Sequence, residues 1–173
     1  NLSDLRDEYV NVGLGTAQTG TAFTISAWHA LTPSTGNNSN RYHVFEPGDT
    51  GNYDISWGTN AVTTTTGPLA NYTYLGYVAG GPAGGFGPTG VTTGPWHHVA
   101  HVFTSDGTKT FLSVYVDGVF VEARPEPTAS LDFTSINLGR ARTDQNDRDW
   151  DGMMDEVAVW NRALSPAQVQ ELF

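Results

Sequence analysis

No cysteine occurs among the 173 residues. That excludes a disulfide framework and any thiolate-ligated metal centre, and it fits either a reducing compartment or a secreted domain large enough to hold together without staples. Cations are scarce: eight Lys and Arg stand against 18 Asp and Glu, a formal net charge of −10. Nucleic acid and anionic membrane surfaces are bound through clustered Lys and Arg, so this balance argues against both. It also disfavours a strongly anionic polysaccharide, unless a local basic or calcium site overrides the field, and it favours a neutral ligand or a cation. The bland alternative is that the acidity keeps a surface-rich domain soluble. Long apolar runs are missing too, and a membrane-spanning helix needs about 20 such residues. The chain starts at Asn1, not Met, and carries no leader pattern, which suggests an excised domain or mature fragment.

Turn formers and aromatics are abundant. Twenty glycines and nine prolines are spread through the chain with short apolar runs between them, the punctuation of an all-β protein. The length suits one domain, residues 1–173, with a sizeable core. Thr-Thr-Gly-Pro recurs at 65–68 and 92–95 but no longer repeat accompanies it, and no linker or charged tail stands out.

Over Thr21–Leu31, Phe23, Ile25 and Ala27 alternate with Thr24, Ser26 and Trp28, the period of a strand with one face inward. Short strands are predicted at Tyr42–Phe45, Tyr53–Trp57, Tyr72–Val78, His97–Thr104 and Thr110–Val116, and a long aperiodic loop at Gly80–Gly90. Asp117-Gly118 is the strongest hairpin signal, because a type I′ turn needs positive φ at both central residues. Val157 and Val159 alternate with Glu156, Ala158 and Trp160 in a last strand. Helix is predicted only after Ser165. Pro166 falls at the first helical position, Gln168 completes a capping box, and Leu164 and Val169 fall at the staple positions. Two antiparallel sheets packed face to face, closed by a short C-terminal helix, follow from the pattern.

Histidines at 97, 98 and 101 hint at zinc, but on a strand His98 faces away from the other two, so the three do not converge easily. His29 and His43 are isolated. Asp147, Asp149 and Asp151 with Gly152 match the front half of an EF-hand loop. The back half fails, since Ala158 stands where the bidentate Glu belongs.

The segment Trp150-x-Gly152-x-x-Asp155-Glu156-Val157-x-x-Trp160-x-Arg162-Ala163-Leu164-Ser165 resembles the closing segment of laminin-G-like domains of the concanavalin A-like lectin/glucanase superfamily. Phe23–Trp28, Trp96-His-His-Val-Ala100, Ser113–Gly118, Ile136-Asn-Leu-Gly139 and a worn opening at Asp4–Val10 resemble other parts of that family in the same order, although Ser3 and Leu5 replace its usual Phe and Gly. The resemblance implies a jelly-roll β-sandwich with one concave and one convex sheet. It also implies a structural calcium ion on the convex side, with Asp155 as side-chain ligand and a partner region near Asp4. Oxygen ligands suit Ca²⁺ rather than zinc. The family carries Trp-His-His-Val-Ala as a structural strand and packs residues matching Trp28, Trp96 and Trp160, so all three are expected in the interior. Glucanases of the superfamily cut with a Glu-x-Asp-x-Glu or Glu-x-Asp-x-x-Glu strand, and this sequence contains neither.

Aromatics are the remaining ligand candidates. Tyr53 and Trp57 share one face of a predicted strand, as do Tyr72 and Tyr74 of another, with Tyr77 nearby. Sugar rings lay C–H faces on such planes while their hydroxyls pair with polar groups, here Arg140, Arg142, Asn52 and Asn71. The ordinary alternative is that these aromatics fill the core. Asn37-Asn-Ser39 and Asn71-Tyr-Thr73 fit the glycosylation sequon. The expectation is therefore a non-catalytic, lectin-like carbohydrate-binding module of a larger secreted or cell-surface protein, stabilised by calcium, with neither nucleic acid nor membrane insertion. The alternatives are a protein-interaction or adhesion domain without a sugar site, and a glycan-cleaving enzyme.

Overall fold

The computed structural model of the chain describes residues 9–20, 22–31, 41–47, 53–59, 72–78, 95–126, 131–139, 150 and 152–173. They form ten strands and one helix: β1 Val10–Gly20, β2 Ala22–Leu31, β3 Arg41–Pro47, β4 Tyr53–Thr59, β5 Tyr72–Val78, β6 His97–Ser105, β7 Thr110–Val116, β8 Val119–Glu126, β9 Leu131–Leu138, β10 Gly152–Trp160 and α1 Pro166–Leu172. One sheet runs β1-β9-β3-β4-β5 and the other β10-β2-β6-β7-β8. Every pairing among them is antiparallel. The architecture is the expected all-β jelly-roll sandwich with a C-terminal helix.

The core follows from register. In the second sheet three rows run across β2, β6 and β7: Phe23–Phe103–Leu112, Ile25–His101–Val114 and Ala27–Val99–Val116. All nine residues are buried. The apolar ones join Ile136 of β9 and Trp150 in one cluster. Phe23 and Phe103 stack at 4.2 Å. Removing a large apolar side chain of this kind from water contributes about 1.5–3 kcal/mol.

The opposite face of the same sheet is also covered. Ala100, Val102 and Tyr115 pack with Leu164 and Val169 around α1, and Trp160, Ala163 and Leu172 border them. This second layer explains why β6 is buried on both faces over most of its length. The helix starts as the sequence predicts. Ser165 Oγ accepts from the Gln168 N–H, and Gln168 Oε1 accepts from the Ser165 N–H at 3.0 Å, completing the capping box. The staple pair Leu164 and Val169 lies buried in this layer. Thr24 holds the approach to the helix: its hydroxyl donates to the Arg162 carbonyl and accepts from the Leu164 N–H, both at 2.9 Å.

Asp117 and Gly118 have φ of 50° and 73°, the type I′ geometry read from the sequence. Asp117 also ties the β7–β8 turn to β6. Its carboxylate meets His97 Nδ1 at 2.8 Å and accepts from the His98 N–H at 2.9 Å, while its own N–H donates to the His98 carbonyl. The long strand β1 has no counterpart in the sequence expectations. Its apolar Val10 and Val12 remain exposed, and its register against β9 shifts between Gly13 and Gln18, so no clean alternation marks it.

Candidate functional site

A β-bulge builds the site. Asp155 of β10 pairs with Trp28 of β2 and Ala158 pairs with Ser26, so Glu156 and Val157 together oppose Ala27. One extra residue resets the alternation of a strand. Met154, Val157 and Val159 all pack against the core, whereas Asp155 and Glu156, consecutive in sequence, are both exposed. Glu156 takes φ of 48°, a left-handed conformation that costs a residue with a Cβ about 1–2 kcal/mol. Asp155 Oδ1 accepts from the Glu156 N–H at 2.8 Å and steadies the bulge.

Trp28, Trp96, Asp155 and Glu156 line an open recess of about 260 Å³. Trp96 stands just before β6 and is 42% exposed. Trp28 is braced from beneath and beside. The buried His98 ring lies 5.5 Å away, from the directly paired position on β6. The Phe173 ring stacks on Trp28 at 5.6 Å, and Phe173 itself rests against Gly118, where an added Cβ would come within 3.1 Å of the Phe173 Cβ. The hairpin, the helix terminus and the central strand thus all hold the floor of the recess. Chemically it offers indole faces beside two carboxylates, suited to stacking and to accepting hydrogen bonds. Among the described residues neither carboxylate has an ion-pair partner.

A family model for laminin G-like domains, described as the concanavalin A-like lectin/glucanases superfamily, matches residues 4–170. The chain belongs to this superfamily. Among solved structures, this laminin G-like chain is similar to the heptameric SAP-like pentraxin of Limulus polyphemus, with a TM-score of 0.71 and 15% identity over 98% of this chain and 76% of that one. It is similar to a candidate carbohydrate binding protein of Bacteroides ovatus, with a TM-score of 0.67 and 20% identity over 96% of this chain. It is also similar to the ligand binding domain of botulinum neurotoxin serotype D, solved with N-acetylneuraminic acid, with a TM-score of 0.60 and 12% identity over 96% of this chain. The laminin G-like chain spans only 45% and 40% of the last two. No curated protein matches it.

The laminin G-like fold distributes the sequence-predicted site residues unevenly. Asp155 lines the recess. Asp4, Asp147, Asp149, Asp151, Arg140 and Arg142 lie outside the described residues, as do Asn52, Asn71 and the Gly80–Gly90 segment. Among the described residues no three His, Cys, Asp or Glu side chains gather as metal ligands. Calcium takes six to eight oxygens, so Asp155 and Glu156 do not make a calcium site by themselves. Tyr53, Trp57, Tyr72 and Tyr74 come to adjacent positions: Trp57 pairs with Tyr74, Thr59 with Tyr72, and Tyr53 with Val78. Tyr42 extends the Trp57–Tyr74 row onto β3. Two positions along β4, Ile55 pairs with Phe45, which pairs with Leu138.

One tryptophan departs from the expected packing role. Trp160 borders the layer under the helix and Trp150 is buried in the core, but Trp96 is substantially exposed and lines the recess with Trp28. The sequence signal that could have found them is the pair Asp155-Glu156. Two consecutive acidic residues ahead of a core valine break strict alternation, and a bulge is the fold's way of keeping both in water. The described histidines His29, His98 and His101 are buried in the sheet. His101 is fully buried and its pKa is lowered to about 3 by loss of solvation. Burial also lowers His29, helped by His97 and His98, and it lowers His98 despite the opposing pull of Asp117.

Proposed function

We propose that this domain is a non-catalytic carbohydrate-binding module of a larger secreted or cell-surface protein. The observation that carries the reading is the recess of Trp28, Trp96, Asp155 and Glu156: indole planes beside hydrogen-bond acceptors, on the outer face of a sheet. Such a combination suits a sugar ring with an apolar C–H face and polar edges. Kinship of fold supports it, since similar structures include a toxin domain holding N-acetylneuraminic acid and a candidate carbohydrate binding protein. No helix among the described residues is long and apolar enough to cross a membrane. The two carboxylates come from consecutive residues of one bulge, whereas glycoside hydrolysis uses a pair flanking the scissile bond. That favours passive binding.

The row of Tyr53, Trp57, Tyr72 and Tyr74, with Arg140 and Arg142, is the rival location for the sugar. The exposure of Trp96 favours the recess. Calcium belongs to the proposal as a stabilising ion with two candidate donor sets, Asp155 with the region near Asp4, and Asp147, Asp149 and Asp151 of the acidic loop; where Asp155 serves the sugar, the ion belongs to the loop. A glycan array in the presence and absence of chelator tests the function. Hits lost in Trp96→Ala and kept in Trp57→Ala support the recess. The reverse pattern moves the site to β4 and β5, and blanks across all glycans point to a protein-interaction or adhesion domain. A melting midpoint unchanged by chelator removes the ion.

A further inference from the structure

Resting on the carbohydrate reading, we propose that the recess selects glycans bearing free amino groups, glucosamine units above all, over their N-acetylated and sialylated counterparts. Three observations converge on a cationic sugar. First, the described side chains lining the recess are two indoles and two carboxylates. Second, neither carboxylate is neutralised by an ion pair among the described residues. Asp155 uses one oxygen on the Glu156 N–H, and both residues line the recess. Third, the strained backbone of Glu156 is what keeps this second negative charge beside the first. Strain of that kind collects at binding sites, where the surrounding structure enforces it.

An amino sugar answers each feature. Its ring lies on an indole plane as any pyranose does. Its ammonium group is drawn both to the indole π face and to the carboxylates. The volume of about 260 Å³ lies below the usual range for drug-sized ligands, so the recess holds one ring and its substituent, and a polymer would reach it a unit at a time. The net charge of −10 draws a cationic polymer toward the surface and repels a carboxylated sugar. N-acetylation removes the charge and leaves the carboxylates to pair with neutral donors. Hydrogen bonds to charged groups exceed neutral ones by enough to make the amino form bind about tenfold more tightly.

The test is a set of calorimetric titrations of the whole chain in chelator at about pH 5.5, where the amine of glucosamine, less basic than an alkyl amine because of its neighbouring oxygens, is charged and carboxylates remain ionised. The probes are a glucosamine hexamer, an N-acetylglucosamine hexamer, sialyllactose and a lysine hexamer. The expected result is binding of the glucosamine hexamer about tenfold tighter than its acetylated form, weakened by salt, with no heat from sialyllactose. Asp155→Asn with Glu156→Gln, folded by circular dichroism, should bring the two hexamers level, and Trp96→Ala should weaken both. Equal or tighter binding of the acetylated hexamer would overturn the amine preference and leave the carbohydrate reading standing. Equal binding of lysine hexamer, or glucosamine binding that survives all three substitutions, would show charge attraction without a sugar site and also overturn it. Silence from every sugar removes both readings together.

Discussion

Phe173 lies face to face with Trp28, their ring centroids 5.6 Å apart and their planes inclined by 18°. The pair couples the end of the helix to the floor of the recess. An aromatic pair of this geometry contributes about 0.5–1.5 kcal/mol beyond the area it buries. Phe173→Ala is therefore expected to lower the unfolding free energy by about 1–2 kcal/mol in urea titration. It should also change the intrinsic tryptophan fluorescence of the native state, because Trp28 gains solvent. Unchanged emission would mean that the stack does not persist in solution.

Gly118 and Gly107 provide a matched comparison. Both have positive φ, at 73° and 89°. An added Cβ at Gly107 meets nothing within 4 Å, while at Gly118 it lies 3.1 Å from the Phe173 Cβ. Alanine at either site costs about 1–2 kcal/mol of backbone strain. Gly118→Ala should cost more than Gly107→Ala, and the excess should shrink when Phe173 is also alanine. Equal costs in a double-mutant cycle would remove the contact from the account.

Thr24 joins two backbone groups that the chain places far from it in sequence. Thr24→Val keeps the shape but strands the Leu164 N–H and the Arg162 carbonyl. A buried polar group left unpaired costs about 1–3 kcal/mol, so a loss of about 2–4 kcal/mol is expected from the pair. Hydrogen exchange should accelerate most in residues 162–172. A loss below about 0.5 kcal/mol would indicate that water replaces the hydroxyl.

Stability should fall in mild acid, and the sign follows from burial. His101 is held neutral, its folded-state pKa lowered to about 3, while in the unfolded chain it titrates near 6.5. Above about pH 6.5 both states are neutral and the full stability is present. Below it the unfolded state binds the proton and the folded state does not. Stability therefore drops as pH falls from about 6.5 toward 3, by up to about 1.4 kcal/mol per unit for each such histidine. His29 and His98, both lowered, act in the same direction. Urea midpoints at pH 7, 6 and 5 check this, and His101→Leu should flatten the slope. A slope unaffected by that substitution would assign the acid sensitivity elsewhere.

Much of the fold was legible because strand and cap signals are local. Ser165-Pro166 with Gln168 specifies its helix start through bonds spanning three residues, and Asp117-Gly118 specifies its turn through backbone sterics alone. Phe23, Ile25 and Ala27 revealed their face because one side of β2 is wholly apolar. The recess was not legible, because its parts come from β2, the approach to β6 and β10, and only the register brings Trp28 opposite Asp155. Trp96 was expected in the interior because it matches a packed position of the family, and such a match does not report exposure in this chain.

Strand β2 lies between β6 and β10, and its second neighbour is made of residues 152–160, which leave the ribosome long after it. Until then the nascent chain presents one unsatisfied flank of an apolar strand, open to pairing with another molecule. Contacts so distant in sequence form slowly, which makes this flank the natural place for a chaperone to shield and for aggregation to begin.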